Sequence, residues 1–177
     1  MKKNLIIFLL VPFLLQGCLS VKLMNPRPNL NLAETKQTIA LIIDEGVKDI
    51  FTIPAQNGVR KASVTDWRTS LKNGFNSGFG NFYTIIDDDT KSDLVLKITR
   101  TDVAFAPAAV GYNGVVAAIR AQITFNATLY NKNGEVIGRS SGTSVSKSAV
   151  GGISQLTSCV ASATESMYEL IGEKCFQ

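Results

Sequence analysis

A chain of 177 residues, 45% hydrophobic and 18% charged, suits one domain with a single core and excludes disorder throughout. Its formal charge of +4 is too small an excess to predict nucleic-acid binding. With no histidine anywhere, the chain lacks the commonest general base and the usual zinc ligand, so neither catalysis, a metal nor another cofactor is expected.

Met1-Lys2-Lys3-Asn4 is a short positive region, residues 5–15 form an apolar run broken only by Pro12, and Gln16, Gly17 and Cys18 follow. That is the architecture of an export signal. A helix of residues 5–15 rises about 16 Å and cannot cross a hydrocarbon core of roughly 30 Å, so a permanent transmembrane segment fails on length. Leu15-Gln16-Gly17-Cys18 resembles the Leu-x-Gly-Cys lipobox of bacterial lipoproteins; the alternative is an ordinary signal in which small residues precede a cysteine by chance. The resemblance implies that Leu15, Gln16 and Gly17 are read by the processing machinery. It also implies that residues 1–17 are removed and that Cys18 is acylated on its thiol and new amino group. Each buried acyl CH₂ contributes about 0.8 kcal/mol, and several chains would hold the protein to the membrane without a spanning helix. Leu19 stands where inner-membrane lipoproteins usually carry Asp, which by resemblance favours a lipid anchor in the outer membrane, facing the periplasm. Loss of Lys2 and Lys3 with the signal leaves 16 basic against 14 acidic residues.

From Cys18 to residue 36, Pro26, Pro28 and several Asn interrupt any sustained period and predict an extended tether, with a single domain over residues 37–177. Stretched fully, such a tether reaches roughly 55 Å. Residues 38–43 are a continuous apolar run of strand length; residues 47–61, with Pro54, Asn57 and Gly58, predict a long loop or irregular hairpin. Val64, Trp67, Leu71, Phe75 and Phe79 recur at helical spacing, with Ser63 or Thr65 as N-cap, and Gly74, Gly78 and Gly80 weaken that helix by about 1 kcal/mol each.

Residues 82–86 read as a strand stopped by Asp87-Asp88-Asp89. Residues 93–105 read as another, whose buried parity switches near Arg100 as a bulge would require. In residues 119–130, Ile119, Ala121, Ile123, Phe125, Ala127 and Leu129 alternate with polar neighbours, giving one buried and one wet face. Asn131-Lys132-Asn133-Gly134 predicts a hairpin turn into a strand over residues 135–146. A second helical stripe runs from Leu156 to Ile171, with Gly172 to terminate it. The order β-α-β-β-β-β-α predicts an α+β fold of two layers, an antiparallel four- to five-stranded sheet with two helices on one face.

Export would bring Cys159 and Cys175 to an oxidising compartment, but about 18 Å of predicted helix between them argues against a disulfide. Asp87, Asp88, Asp89 and Asp93 lack EF-hand spacing and read as turn residues. Residues 104–118 (Ala-Phe-Ala-Pro-Ala-Ala-Val-Gly-Tyr-Asn-Gly-Val-Val-Ala-Ala) are too apolar for a solvated loop. Either they extend the flanking strands into a long hairpin with its tip at residues 111–114 or fold back on the domain, or they contact a partner or membrane through Val110, Tyr112, Val115 and Val116. A second, plainer surface is the polar face carrying Arg120, Gln122, Asn126 and Tyr130.

A lipobox, a short polar tether and a small domain with two helices on one side of a sheet resemble the YajG-like outer-membrane lipoproteins. They also look like LptE, the lipoprotein partner of the lipopolysaccharide-assembly barrel, although no aromatic residue follows soon after Cys18 as it commonly does there. The resemblance implies a non-catalytic, lipid-anchored outer-membrane lipoprotein that binds or supports another envelope component. The alternative is a lipid or glycan carrier or chaperone in envelope biogenesis, which needs a concave apolar pocket.

Overall fold

The longest alternating stretch of the sequence forms the middle of the molecule. The computed structural model describes residues 19–55, 61–111, 116–151 and 155–176. In chain order it contains β1 (Leu19–Val21), β2 (Thr38–Ile43), β3 (Phe51–Ile53), β4 (Ala62–Val64), α1 (Trp67–Phe79) and β5 (Thr84–Ile85). A 3₁₀ turn (Asp89–Lys91), β6 (Leu94–Val110), β7 (Val116–Asn131), β8 (Val136–Val145) and α2 (Leu156–Cys175) follow. The fold is α+β, and its main sheet has the order β5-β2-β6-β7-β8. It is mixed, which corrects the antiparallel expectation: β2 runs parallel to both β5 and β6 because α1 crosses over between β2 and β5. The irregular hairpin is realised as β3 and β4, and β1 adds to it in parallel to give a second sheet, β1-β4-β3.

In β6, Leu94, Leu96 and Ile98 are buried on one parity and Val103 and Phe105 on the other. The register against β7 slips between Ile98 and Arg100, so Thr99 is the extra residue that turns the strand over. In β7, Ala121, Ile123, Phe125, Ala127 and Leu129 are buried, as the alternation predicts. Gly134 closes the β7–β8 turn at φ 79°, a left-handed conformation that suits glycine.

Both helices cover the same face. On β8 the residues facing α2 are small, and a Cβ at Gly138 would meet the Cys175 carbonyl oxygen at 2.7 Å. The close approach lets strand hydroxyls satisfy themselves on the helix: Ser144 Oγ donates to the Ala163 carbonyl at 2.9 Å and Ser140 Oγ to that of Leu170 at 3.3 Å. Gly172 does not end α2, which continues through Cys175 and leaves Cys159 and Cys175 about 24 Å apart along one helix. Both thiols are free and buried, and burial pushes that of Cys175 up to about 11.

Neither Ser63 nor Thr65 caps α1. Its N-cap is Asp66 in the left-handed region (φ 56°), and its first amides donate to Asp49: Trp67 N to the carbonyl and Arg68 N to Oδ1 at 2.8 Å. The Arg68 guanidinium donates to the carbonyls of Ile43, Asp44 and Val47, fixing the connection after β2 to the start of the helix.

Residues 19–36 are not a free tether. Extended chain is found, but it is packed: Val21, Met24 and Leu30 are core residues, and Pro26 and Pro28 are buried. The segment lies between the helices. The Tyr168 ring and Pro26 share the space over Gly74, Pro28 fills that over Gly78, and Leu30 that over Gly172, while Arg27 N donates to Glu165 and Asn29 N to Glu169. Gly74 and Gly78, which weaken α1 on propensity, are therefore positions where its neighbours come close. Tyr168 of α2 closes the same seam, donating its hydroxyl to the Leu71 carbonyl at 2.7 Å.

Candidate functional site

Two ends of the molecule can be told apart from these contacts. α2 begins near the middle of β7, where Cys159 Sγ accepts from Ala121 N, and finishes over Gly138, which pairs with Leu129. The N-terminal segment runs the same way. Thr65 N donates to the Val21 carbonyl, Met24 N to Ser70 Oγ, and Pro26 and Pro28 sit on Gly74 and Gly78, so two residues of extended chain keep pace with about four of helix. Leu19 accordingly lies at the end where both helices start.

From that same end the β6–β7 hairpin projects. β2 leaves β6 at Ile98 and β8 leaves β7 at Gln122. Helix cover continues as far as Phe105 and Ala121; past these, the described cover is one bridge between Ile119 and Val150, which pack at the edge of the core, with N–H···O distances of 2.9 and 2.8 Å, and Gly151 beside the Ala117 carbonyl. Pairing between the two strands continues outward through Pro107↔Ile119 and Ala109↔Ala118 to Val110↔Val116. The result is a two-stranded arm whose described residues past Arg120 are all Ala, Val, Pro, Ile or Gly. Pro107, Ala108, Ala109 and Ala117 are exposed, and Val110 is 62% exposed.

Of the residues expected to make a contact, Val110 and Val116 are thus brought together across the arm. Tyr112 and Val115 lie outside the described residues, as do Leu15, Gln16, Gly17 and Cys18. The polar face of β7 carries Arg120, Gln122, Asn126 and Tyr130 as read, and Thr124 there meets Thr143 Oγ1 of β8 at 3.1 Å.

The acidic residues are engaged locally. Asp88 accepts from Thr90 N and Oγ1 and pairs with Lys91 at 2.7 Å, which holds its carboxyl below the usual range. Asp93 accepts from Thr38 N and Oγ1, both at 2.9 Å, and these hydrogen bonds lower its carboxyl as well. Among the described residues no three His, Cys, Asp or Glu side chains gather as metal ligands would. Among the described residues, one cleft of about 260 Å³ is lined by residues including Leu30, Glu169 and Glu173, and another of the same size by Lys48, Phe51, Thr101 and Asp102. Both are below the roughly 300–1,000 Å³ of small-molecule sites and carry charged walls.

What residue reasoning missed is the position of the N-terminal segment. Its signal was present: Met24, Pro26, Pro28, Leu30 and Leu32 alternate with Asn25, Arg27, Asn29 and Asn31.

The architecture is that of a small α+β domain whose two parallel helices clasp the chain's own N-terminal segment against a mixed sheet. It is similar to the crystal structure of a Xanthomonas campestris protein of the DUF330 family, at 13% identity and a TM-score of 0.52, over 87% of this chain and 95% of that one. At that identity the likeness is one of fold. Looser likenesses are to a putative neuraminyllactose-binding hemagglutinin homolog from Helicobacter pylori (12% identity, TM-score 0.44, 86% of this chain and 91% of that) and an uncharacterized lipoprotein B from Nitrosomonas europaea (9%, 0.41, 89% and 82%). No family model and no curated protein matches the sequence. No helix among the described residues is long and apolar enough to cross a membrane.

Proposed function

We infer that the chain is a lipid-anchored, non-catalytic outer-membrane lipoprotein that engages another component of the cell envelope through the β6–β7 arm. The observation that carries this reading is the junction of lipobox and fold. Cys18, the residue to be acylated, immediately precedes Leu19, which is paired to Ala62 in β1 at the end of the molecule that bears the apolar arm. A lipid on Cys18 would hold the arm at the membrane. The combination of a two-stranded ribbon, marginal on its own in water, with uncovered apolar side chains supports a contact role for it. Mass spectrometry of the mature N-terminus is the direct test: a diacylated or triacylated Cys18 is expected, and Cys18→Ala should release the protein from the outer-membrane fraction. Recovery of unmodified Cys18 in soluble protein overturns the reading.

A further inference from the structure

We propose that the component met by the arm is the bilayer itself: residues 107–110 and 116–118 lie in the headgroup–acyl boundary of the leaflet that holds Cys18. This rests on the lipid-anchor reading and adds an occupant for the arm. The Cα of Cys18 is about 3.8 Å from that of Leu19, so no slack separates the anchor from the end of the domain that carries the arm. Ala121 lies level with Cys159 in the first turn of α2, and the five residues from there out to Val116 span about 16 Å. The arm therefore overhangs the start of α2 by roughly 10 Å, comparable with the 5–10 Å to which interfacial segments sink.

Its chemistry fits that depth. The described tip carries no charge, while Arg120 at its root and Lys22 just past β1 are exposed cations suited to anionic headgroups. Among the described residues the β6 edge of the ribbon is open and the β7 edge is paired only at Ile119, to Val150; the remaining amides and carbonyls could not be satisfied in hydrocarbon, so the arm belongs at headgroup level with only its Ala, Val and Pro side chains reaching the acyl chains. Pro107 removes one unpaired donor from the β6 edge. Val136 and Ile137, also exposed, stand at the opposite end of the sheet, beside the β7–β8 turn.

The test uses the full acylated protein in vesicles of phosphatidylethanolamine and phosphatidylglycerol. A fluorophore is attached through Val110→Cys, or through Lys132→Cys in the β7–β8 turn as the remote control. Cys159 and Cys175 are buried and do not compete, and emission of the single tryptophan, the buried Trp67, reports that each variant is folded. Quenching by aqueous iodide is expected to be about fivefold or more weaker at position 110 than at 132, and Ala109→Asp should abolish that protection. Equal quenching with Cys18 acylated overturns the inference and leaves the anchor reading standing. Protection that disappears on diluting the protein in lipid points to a second copy, and protection found in native envelopes but not in vesicles points to a protein partner; either overturns it. An unacylated Cys18 overturns the anchor reading and this inference together.

Discussion

The β6–β7 hairpin is two structures in one. In its inner half, residues 94–105 against 121–131, Leu96, Ile98, Ile123, Phe125 and Leu129 are at most 1% exposed beneath the helices. In its outer half the same two strands remain paired, but beyond Ile119, which packs at the edge of the core and bridges to Val150, Pro107, Ala108, Ala109, Val110 and Ala117 are exposed. Backbone pairing is common to both halves, so it is cover, and the apolar area removed from water with it, that separates a core from a surface waiting for one.

The sharpest way to break that comparison is to truncate one side chain in each half. Phe125→Ala should cost about 3–5 kcal/mol in denaturant unfolding, whereas Val110→Ala should stay within about 0.5 kcal/mol. Similar losses at both sites would mean that the outer half is already buried within the isolated chain. Next in size is Gly138→Ala, whose Cβ would strike the Cys175 backbone; thermal unfolding should report about 1–3 kcal/mol lost as α2 is forced off β8. Tyr168→Phe keeps the ring and removes only the buried hydroxyl given to Leu71, so about 1 kcal/mol is expected in the same assay.

The smallest effect lies at the end of β6 far from the arm. Hydrogen bonds from Thr38 lower the Asp93 carboxyl below its usual 3.8, so its contribution is complete above that value and is lost as pH falls through the lowered one. Asp93→Asn should therefore flatten the stability profile below about pH 4, measured by urea midpoints, and leave the slope near neutral pH unchanged.

Where one residue type repeats on one face, the sequence is transparent. The alternation of β7, and the parity change that marks Thr99 as a bulge, follow from a period of two, and the Ala-Val stretch with Val110 at its edge is visible as a lapse in polarity. Direction is not encoded that way: Thr38–Ile43 reads as a strand whichever neighbour it has, and its parallel placement comes from the α1 crossover. The three-residue strands β1, β3 and β4 are too short to show a period. Proline and asparagine misled at residues 24–32, because the same composition serves a loose linker and a filler strand; only the glycines of α1, whose missing side chains leave room for Pro26 and Pro28, distinguish them. Asp49 as the partner of the first α1 amides sits seventeen residues before the Asp66 N-cap, beyond any local capping pattern. Of the lipid site, only the motif itself is legible, since residues 15–18 precede the described chain.

Pinning of Leu19 into β1 would give a lipid attachment at Cys18 a mechanical character. A globule on a long leash samples a hemisphere of positions and can meet a cell wall far above its leaflet. Rooted one peptide bond from its fatty chains, this domain would instead stand like a post, with a fixed footprint and little freedom to tilt. Any partner of a domain so held would have to come down to the membrane to meet it.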